Sequence, residues 1–325
     1  MVWGRKRVYG PRFGGNAAEY WVPHAQVGNA SSKVIRTIKT LFDSDQPHFA
    51  AWLRIYDMDH YWSSQKTAKP LYYSAICGFY DLVEYLINKH PQDVNYTGGG
   101  HDCPLVAALH GGHIQVAELL FQHVADVSIR GPGARLPLHV VVRWSNNSAV
   151  GAVQFLLRHG ADVDARNGGN FTALHLASYR LDLELVPMLL DHGANVNAEE
   201  NQGKTPLHRV LEDDNYYSYE RLIRVAQMLI ERGADVNKPD NEHETPLHLA
   251  SRFLFLEVAW ILLNGGADPN AENKEGKISF QLVRERLREE MEHEPLPSEE
   301  DPITRAKGGA RRARGVALMG LLYGY

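Results

Sequence analysis

The sequence predicts an all-α solenoid, a stack of short paired helices repeated about every 33 residues. Three observations carry that prediction. First, a four-residue phrase recurs. Thr205-Pro206-Leu207-His208 and Thr245-Pro246-Leu247-His248 are full copies; Thr172-Ala173-Leu174-His175 and Leu136-Pro137-Leu138-His139 each change one residue. Cys103-Pro104-Leu105-Val106, Lys69-Pro70-Leu71-Tyr72 and Ile278-Ser279-Phe280-Gln281 are weaker copies. The second positions fall at 70, 104, 137, 173, 206, 246 and 279, in steps of 34, 33, 36, 33, 40 and 33. Second, a phrase of the type His159-Gly160-Ala161-Asp162-Val163-Asp164 keeps the same step, at His192–Asn197, Arg232–Asn237 and Gly265–Asn270, with degenerate forms at Lys89–Asn95 and Gln122–Ser128. Third, the apolar runs after each phrase, such as Leu174–Tyr179 and Leu183–Leu190, are too short to stand alone as helices. Neighbouring units must bury them, which is the logic of a repeat stack.

Taken in order, residues 1–32 are rich in Gly, Pro and polar residues and read as an irregular N-terminal segment. Residues 33–66 show helical apolar spacing at Val34, Ile35, Ile38, Leu41 and Phe42, then Phe49, Trp52, Leu53 and Tyr56. They read as a degenerate helical cap. Residues 67–290 form the array, six units and a C-terminal half-unit cap begun by Phe280, Leu282, Val283 and Leu287.

Within a unit, Thr can cap the first helix and Pro suits its first position, where no N–H is needed. Glycine before Ala-Asp fits a left-handed helix end. Pro91 and Val124 occupy that slot in the first two units, which predicts irregular helix ends there. Pro187 falls in or near the first turn of a second helix, where it is tolerated. The long steps hold Ser145–Ser148 and Glu212–Glu220, both between the two helices of a unit. Beyond 290 the chain turns acidic over 292–301, then basic at Arg305, Lys307, Arg311, Arg312 and Arg314, then briefly apolar. Residues 291–325 are predicted to be a disordered tail.

These two phrases resemble the ankyrin repeat family over roughly residues 67 to 290. The resemblance implies helix–turn–helix units with projecting β-turn fingers, and a phrase histidine that hydrogen-bonds within and between units. Phe79-Tyr80-Asp81-Leu82-Val83-Glu84 and Ala107-Ala108-Leu109-His110-Gly111-Gly112-His113 are similar to fungal ankyrin arrays, which often form the sensor tails of NACHT-type proteins. No nucleotide-binding domain accompanies the array, so that resemblance implies a sensor arm, free-standing or truncated.

Composition narrows the function. A 44 % hydrophobic and 22 % charged chain of 325 residues has a globular balance. Net charge is −5, and the array holds 20 Lys and Arg against 29 Asp and Glu, the wrong sign for binding nucleic acid. Two cysteines, Cys77 and Cys103, cannot staple a chain this long and suit a reducing compartment. No apolar run is long enough to span a bilayer, and no signal peptide is visible.

Sixteen histidines invite a metal site, yet four of them, His139, His175, His208 and His248, are one repeated position. His110 and His113 near Cys103 lack a paired Cys-x-x-Cys and a fourth ligand. Gly203-Lys204-Thr205 resembles the end of a phosphate loop, but Ala198 stands where the motif needs its first glycine. Asp213 and Asp214 lie in a polar insert. No metal, cofactor or catalytic residue is expected.

The expected function is therefore a non-enzymatic scaffold that binds a protein partner on the concave face implied by the resemblance. First-helix ends and finger residues line that face. The partner-binding candidates are Arg143, Trp144, Phe171, Tyr179 and Arg180, expected close together on adjacent units, with Arg135, Lys204, Arg252 and Phe253. Trp, Tyr and Arg are the types most enriched in binding hot spots. The competing reading folds Trp144 and Phe171 down against the neighbouring unit. An adaptor of a ubiquitin ligase is the alternative function, and an enzyme or a nucleotide or metal binder a more distant one. A cytoplasmic monomer is expected, with the basic tail as a candidate nuclear address.

Overall fold

The structure is a computed structural model that describes residues 39–42, 68–144, 148–212, 219–292 and 302–324. The irregular segment 1–32, most of the expected cap and most of both long inserts lie outside the described residues. Two compact bodies share the chain, Met1–Gly160 and Ala161–Tyr325.

The described residues are helical, with no strands among them. The first body contains α1 (Pro70–Ile76), α2 (Tyr80–Lys89), α3 (Pro104–His110), α4 (Ile114–Gln122), α5 (Pro137–Val142) and α6 (Ser148–Arg158). The second contains α7 (Ala173–Tyr179), α8 (Leu185–Asp191), α9 (Pro206–Val210), α10 (Tyr219–Glu231), α11 (Pro246–Arg252), α12 (Leu256–Asn264), α13 (Ser279–Glu292) and α14 (Pro302–Tyr323). Odd-numbered helices up to α11 are first helices, and the even-numbered ones after them are their partners. Each phrase proline sits at the first helical turn, as in α1, α3, α5, α9 and α11. Pro187 is the third residue of α8.

The core is a ladder of equivalent aliphatic positions. Leu105, Leu138, Leu174, Leu207 and Leu247, one from each phrase, are 0–1 % exposed. Second helices supply Leu86, Leu120, Leu156, Leu189, Leu229 and Leu262, each 0–1 % exposed. Of the expected N-terminal cap, Phe42 is fully buried and meets the Phe79 ring edge-on at 6.3 Å, and the Lys39 ammonium lies 4.8 Å over the Tyr85 ring.

The second helix of a unit ends in one of two ways. Gly160, Gly193, Gly233 and Gly266 have φ between 85° and 88°, a conformation that costs a side chain energy. At three of these ends, Ala194, Ala234 and Ala267 donate N–H back to Leu189, Leu229 and Leu262 at 2.9–3.0 Å, the paired closure of a left-handed cap. Val124 takes the same turn at φ 68° in spite of its branched side chain, and Pro91 starts a 3-10 turn over Pro91–Asp93 instead. The Pro91 end shows the expected irregularity, whereas the Val124 end keeps the regular closure, with the Ala125 N–H donating to the Leu120 carbonyl at 3.0 Å.

The fingers are short loops that share one closing bond. Gly98, Gly131, Asn167, Glu200, Asp240 and Asn273 donate N–H to the carbonyl four residues on, at 2.8–3.1 Å. In the second body adjacent fingers also bond: Asn201 to Gly169, Asn241 to Gln202 and Lys274 to Glu242, through N–H to carbonyl.

The tail departs from expectation. Where disorder was predicted from 291, α13 runs to Glu292 and α14 covers Pro302–Tyr323. Gly315, Leu318 and Leu322 are buried along one stripe of α14, and Leu287 of α13 lies where a Cβ on Gly315 would be, 2.5 Å away. The half-unit cap is thus completed by a second helix. The physical reason is the spacing i, i+3, i+7, which turns a glycine-rich segment into a docked helix once α13 offers a surface.

Candidate functional site

The phrase histidines come first, because they set the geometry of each finger. In α7, His175 Nδ1 accepts from Thr172 N–H at 3.2 Å and from the Thr172 hydroxyl at 2.9 Å. Its Nε2 donates to the Lys204 carbonyl, in the next finger, at 3.1 Å. His208 repeats this with Thr205 and the Glu244 carbonyl, and His248 with Thr245 and the Lys277 carbonyl. These partners assign the neutral Nε2–H tautomer. Burial lowers all three imidazoles, His175 to about 4. At the last copy Gln281 stands in place of His, and its Oε1 accepts the Ile278 N–H at 2.9 Å. His139 is fully buried beside Leu136, which has no hydroxyl to offer.

With that frame set, the variable side chains fall at two places, the finger and the end of the first helix. In the first body these places hold a ladder of rings. Tyr72 stacks on His101 at 6.4 Å, and its hydroxyl oxygen accepts the His101 backbone N–H at 3.2 Å. His101 stacks on His110 at 3.9 Å, and Trp144 meets the His110 ring edge-on at 4.9 Å. Burial and the neighbouring His110 hold His101 down at about 4, so the pair stays neutral at physiological pH. Arg135 pairs with the buried Asp102 carboxylate at 3.0 Å. Burial raises the Asp102 carboxyl, with Arg135 opposing it. Arg143 follows α5 and is exposed.

In the second body Phe171 lies edge-on to His175 at 5.9 Å, and the Arg209 guanidinium covers it at 4.6 Å. Phe171 is therefore partly occupied by packing against the following unit. Tyr179 ends α7 and is 52 % exposed, with the half-buried Arg180 beside it. Lys204 pairs with Glu212 at 2.5 Å, and Arg252 pairs with Glu244. Phe253 stacks on Phe255 at 5.7 Å. Of the predicted set, three cations, Arg135, Lys204 and Arg252, are thus already paired to acids of their own chain.

Sequence reasoning did not find the His101–His110 stack. The helix-end position of His110 was visible, but its meeting with His101 depends on how the finger folds back along the helix that follows it, which residue spacing does not show. His113, weighed as a metal ligand, fills the space beside Gly78 and Gly111, whose added Cβ atoms would fall 2.4 Å and 2.5 Å from its ring. Cys103 is buried at the start of α3. Among the described residues no group of three or more His, Cys, Asp or Glu is arranged to hold a metal. Among them, too, no helix is long and apolar enough to cross a membrane.

Comparison with known proteins places these features in a family context. Three family models match, described as ankyrin repeats in many copies over residues 156–210, ankyrin repeats in three copies over 215–273, and an ankyrin repeat over 135–168. Azaphilone pigments biosynthesis cluster protein L of Monascus ruber is 30 % identical over 128 residues, 34 % of this chain and 27 % of that protein. Palmitoyltransferase AKR1 of Lachancea kluyveri is 31 % identical over 156 residues, 47 % of this chain and 21 % of that protein. A putative ankyrin repeat protein of Rickettsia felis is 34 % identical over 102 residues, 30 % of this chain and 45 % of that protein. The chain thus matches between about a fifth and under half of these relatives' lengths. Among solved structures, the ankyrin repeat domain of Bcl-3 aligns with a TM-score of 0.58 at 24 % identity, over 67 % of this chain and 94 % of that one. At that identity the likeness shows the fold.

Proposed function

We propose that the chain, which matches ankyrin repeat models over residues 135–210 and 215–273, is a non-enzymatic scaffold that holds a protein partner on the concave face of the array. One observation carries the reading. The phrase threonines, histidines and glycines repeat from unit to unit, whereas the first-helix ends change: His110-Gly111, Arg143-Trp144, Tyr179-Arg180, Arg252-Phe253. A rigid frame with large variable side chains at one register is what a recognition surface requires, because preorganisation lowers the entropic cost of association. Trp144, Tyr179, Arg143 and Arg180 are the anchors in this reading, with Phe171 and Phe253 as shape-giving neighbours. The paired cations Arg135, Lys204 and Arg252 contribute orientation more than strength, since a partner must compete with their own acids. A cytoplasmic setting belongs to the same reading, supported by two buried free thiols.

The test begins with proximity labelling of the intact chain to capture the partner, followed by titration against Trp144→Ala. An anchor loses more than ~2 kcal/mol of binding while the melting temperature hardly moves. If the melting temperature falls steeply and affinity holds, Trp144 serves packing on His110 instead. Nucleotide or metal bound to the purified protein would overturn the non-enzymatic reading.

A further inference from the structure

We propose that the second body carries another docking groove, lined by second helices rather than by fingers, and that it takes an amphipathic helix with lysine or arginine flanks from a partner protein. The first observation is a break in the repeat. Aligning the second helices on their buried aliphatic positions brings Glu84, Glu118, Gln154, Pro187, Gln227 and Trp260 to one slot. In four of these units the slot carries a polar side chain, as a solvent-facing position should. In α12 it carries tryptophan, 55 % exposed. The rest of α12, Leu256-Glu257-Val258-Ala259-Trp260-Ile261-Leu262-Leu263-Asn264, has only two polar residues. A helix that is apolar on nearly every side has no face suited to water.

The second observation is the wall that α14 builds beside it. Ala317 and Leu321 of α14 face Leu256, Trp260 and Ile261 of α12, and Ile230 of α10 forms the opposite side. The trough has a volume of about 1110 Å³. It exceeds the ~300–1,000 Å³ of ordinary small-ligand pockets and has three helical walls, the setting for helix-in-groove recognition. The Tyr219 hydroxyl bonds Glu257, and Arg314 lies 4.7 Å over the Tyr219 ring, which ties α14 to α10 and α12.

The third observation is the charge of the lining. Among the described residues the ionisable lining is Glu231 and Glu257, with no lysine or arginine. An incoming helix therefore gains from basic residues beside its apolar stripe and loses from acidic ones. Trp260, partly exposed on the groove and of the type most enriched in hot spots, is the anchor.

The experiment uses the intact chain and a fluorescein-labelled sixteen-residue peptide with leucines at helical i, i+3, i+4, i+7 spacing and lysines elsewhere. Controls are the same peptide with glutamates for lysines, and a scramble of the lysine peptide that has no stripe. Anisotropy is expected to show the striped lysine peptide binding at least about tenfold more tightly than either control. Trp260→Gln, which installs the residue type of the other units, is expected to weaken it by about tenfold or more with the circular dichroism and melting temperature retained. Trp144→Ala is expected to leave it unchanged, which separates this groove from the concave-face reading. Equal binding of the scramble means bulk charge attraction and overturns the proposal. So does a Trp260→Gln variant with undiminished affinity. A free protein that elutes as a dimer through Trp260, and excludes the peptide, assigns the groove to a second copy and likewise overturns it.

Discussion

Replacing His175 by leucine removes an imidazole that three hydrogen bonds hold in the interior of the second body. Thr172 loses the acceptor for its N–H and its hydroxyl, and the Lys204 carbonyl loses the Nε2 donor. That carbonyl keeps the Glu200 N–H at 3.1 Å, so the loss falls mainly on the helix cap. At ~1 kcal/mol net per hydrogen bond the variant is less stable by about 3 kcal/mol at pH 7. The pH dependence, which measures the cost of protonating the buried ring and not the bonds it makes, is of similar size. Burial lowers His175 from 6.5 to about 4, and a shift of that size corresponds to roughly 3 kcal/mol. The sign is fixed by linkage. Between pH 6.5 and 4 the unfolded chain binds a proton that the folded chain refuses, so the contribution is whole above 6.5 and drains away as pH falls toward 4. The leucine variant has no such proton. The stability gap between wild type and His175→Leu is therefore expected to shrink from about 3 kcal/mol at pH 7 to near zero at pH 4. Urea unfolding across that range measures it, with hydrogen exchange at Thr172 and His175 reporting the local unit, since repeat arrays need not unfold as one. A gap that stays constant from pH 7 to pH 4 would refute the buried neutral imidazole.

Further outcomes follow from single positions. Val124 is 81 % exposed and holds φ 68°; Val124→Gly is expected to raise stability by about 1 kcal/mol in chemical denaturation, because it removes strain without removing a core contact. Gly315→Leu is expected to lower stability by ~1–3 kcal/mol and to expose α14 to proteases, since even a Cβ collides with Leu287. Cys77 and Cys103 are buried, with thiols pushed up to about 12 by burial. Iodoacetamide at pH 8 is expected to label neither until the chain is denatured, as mass spectrometry would read.

The repeat was legible because both phrases consist of residues whose roles are local. Thr205 caps, Pro206 starts a helix, and Gly233 turns left-handed, each for reasons that one unit contains. Pro91 was legible as an exception for the same reason. What depends on a finger folding back, or on two units meeting, was not. The His101–His110 stack joins a finger to the end of the helix that follows, and Phe171 is covered by Arg209 from the next unit. The tail failed differently. Gly308, Gly309, Gly315, Gly320 and Gly324 gave it the composition of a flexible segment. Yet Gly315, Leu318 and Leu322 make a helical stripe whose small residue is what lets α14 approach Leu287. Period outweighed propensity, because tertiary packing supplies most helical stability. Trp260 could have been found from the sequence by aligning the second helices as well as the first.

The cross-unit histidine bond gives the stack a direction in time. A ribosome delivers this chain from residue 1 onward, and His175 has left it before Lys204, His208 before Glu244, His248 before Lys277. Each cap therefore waits for 29 to 36 more residues before its Nε2–H finds its carbonyl. In these three units each new finger completes the unit already made and leaves its own unit open. At the corresponding place in the last copy, Gln281 instead accepts the N–H of Ile278, three residues earlier.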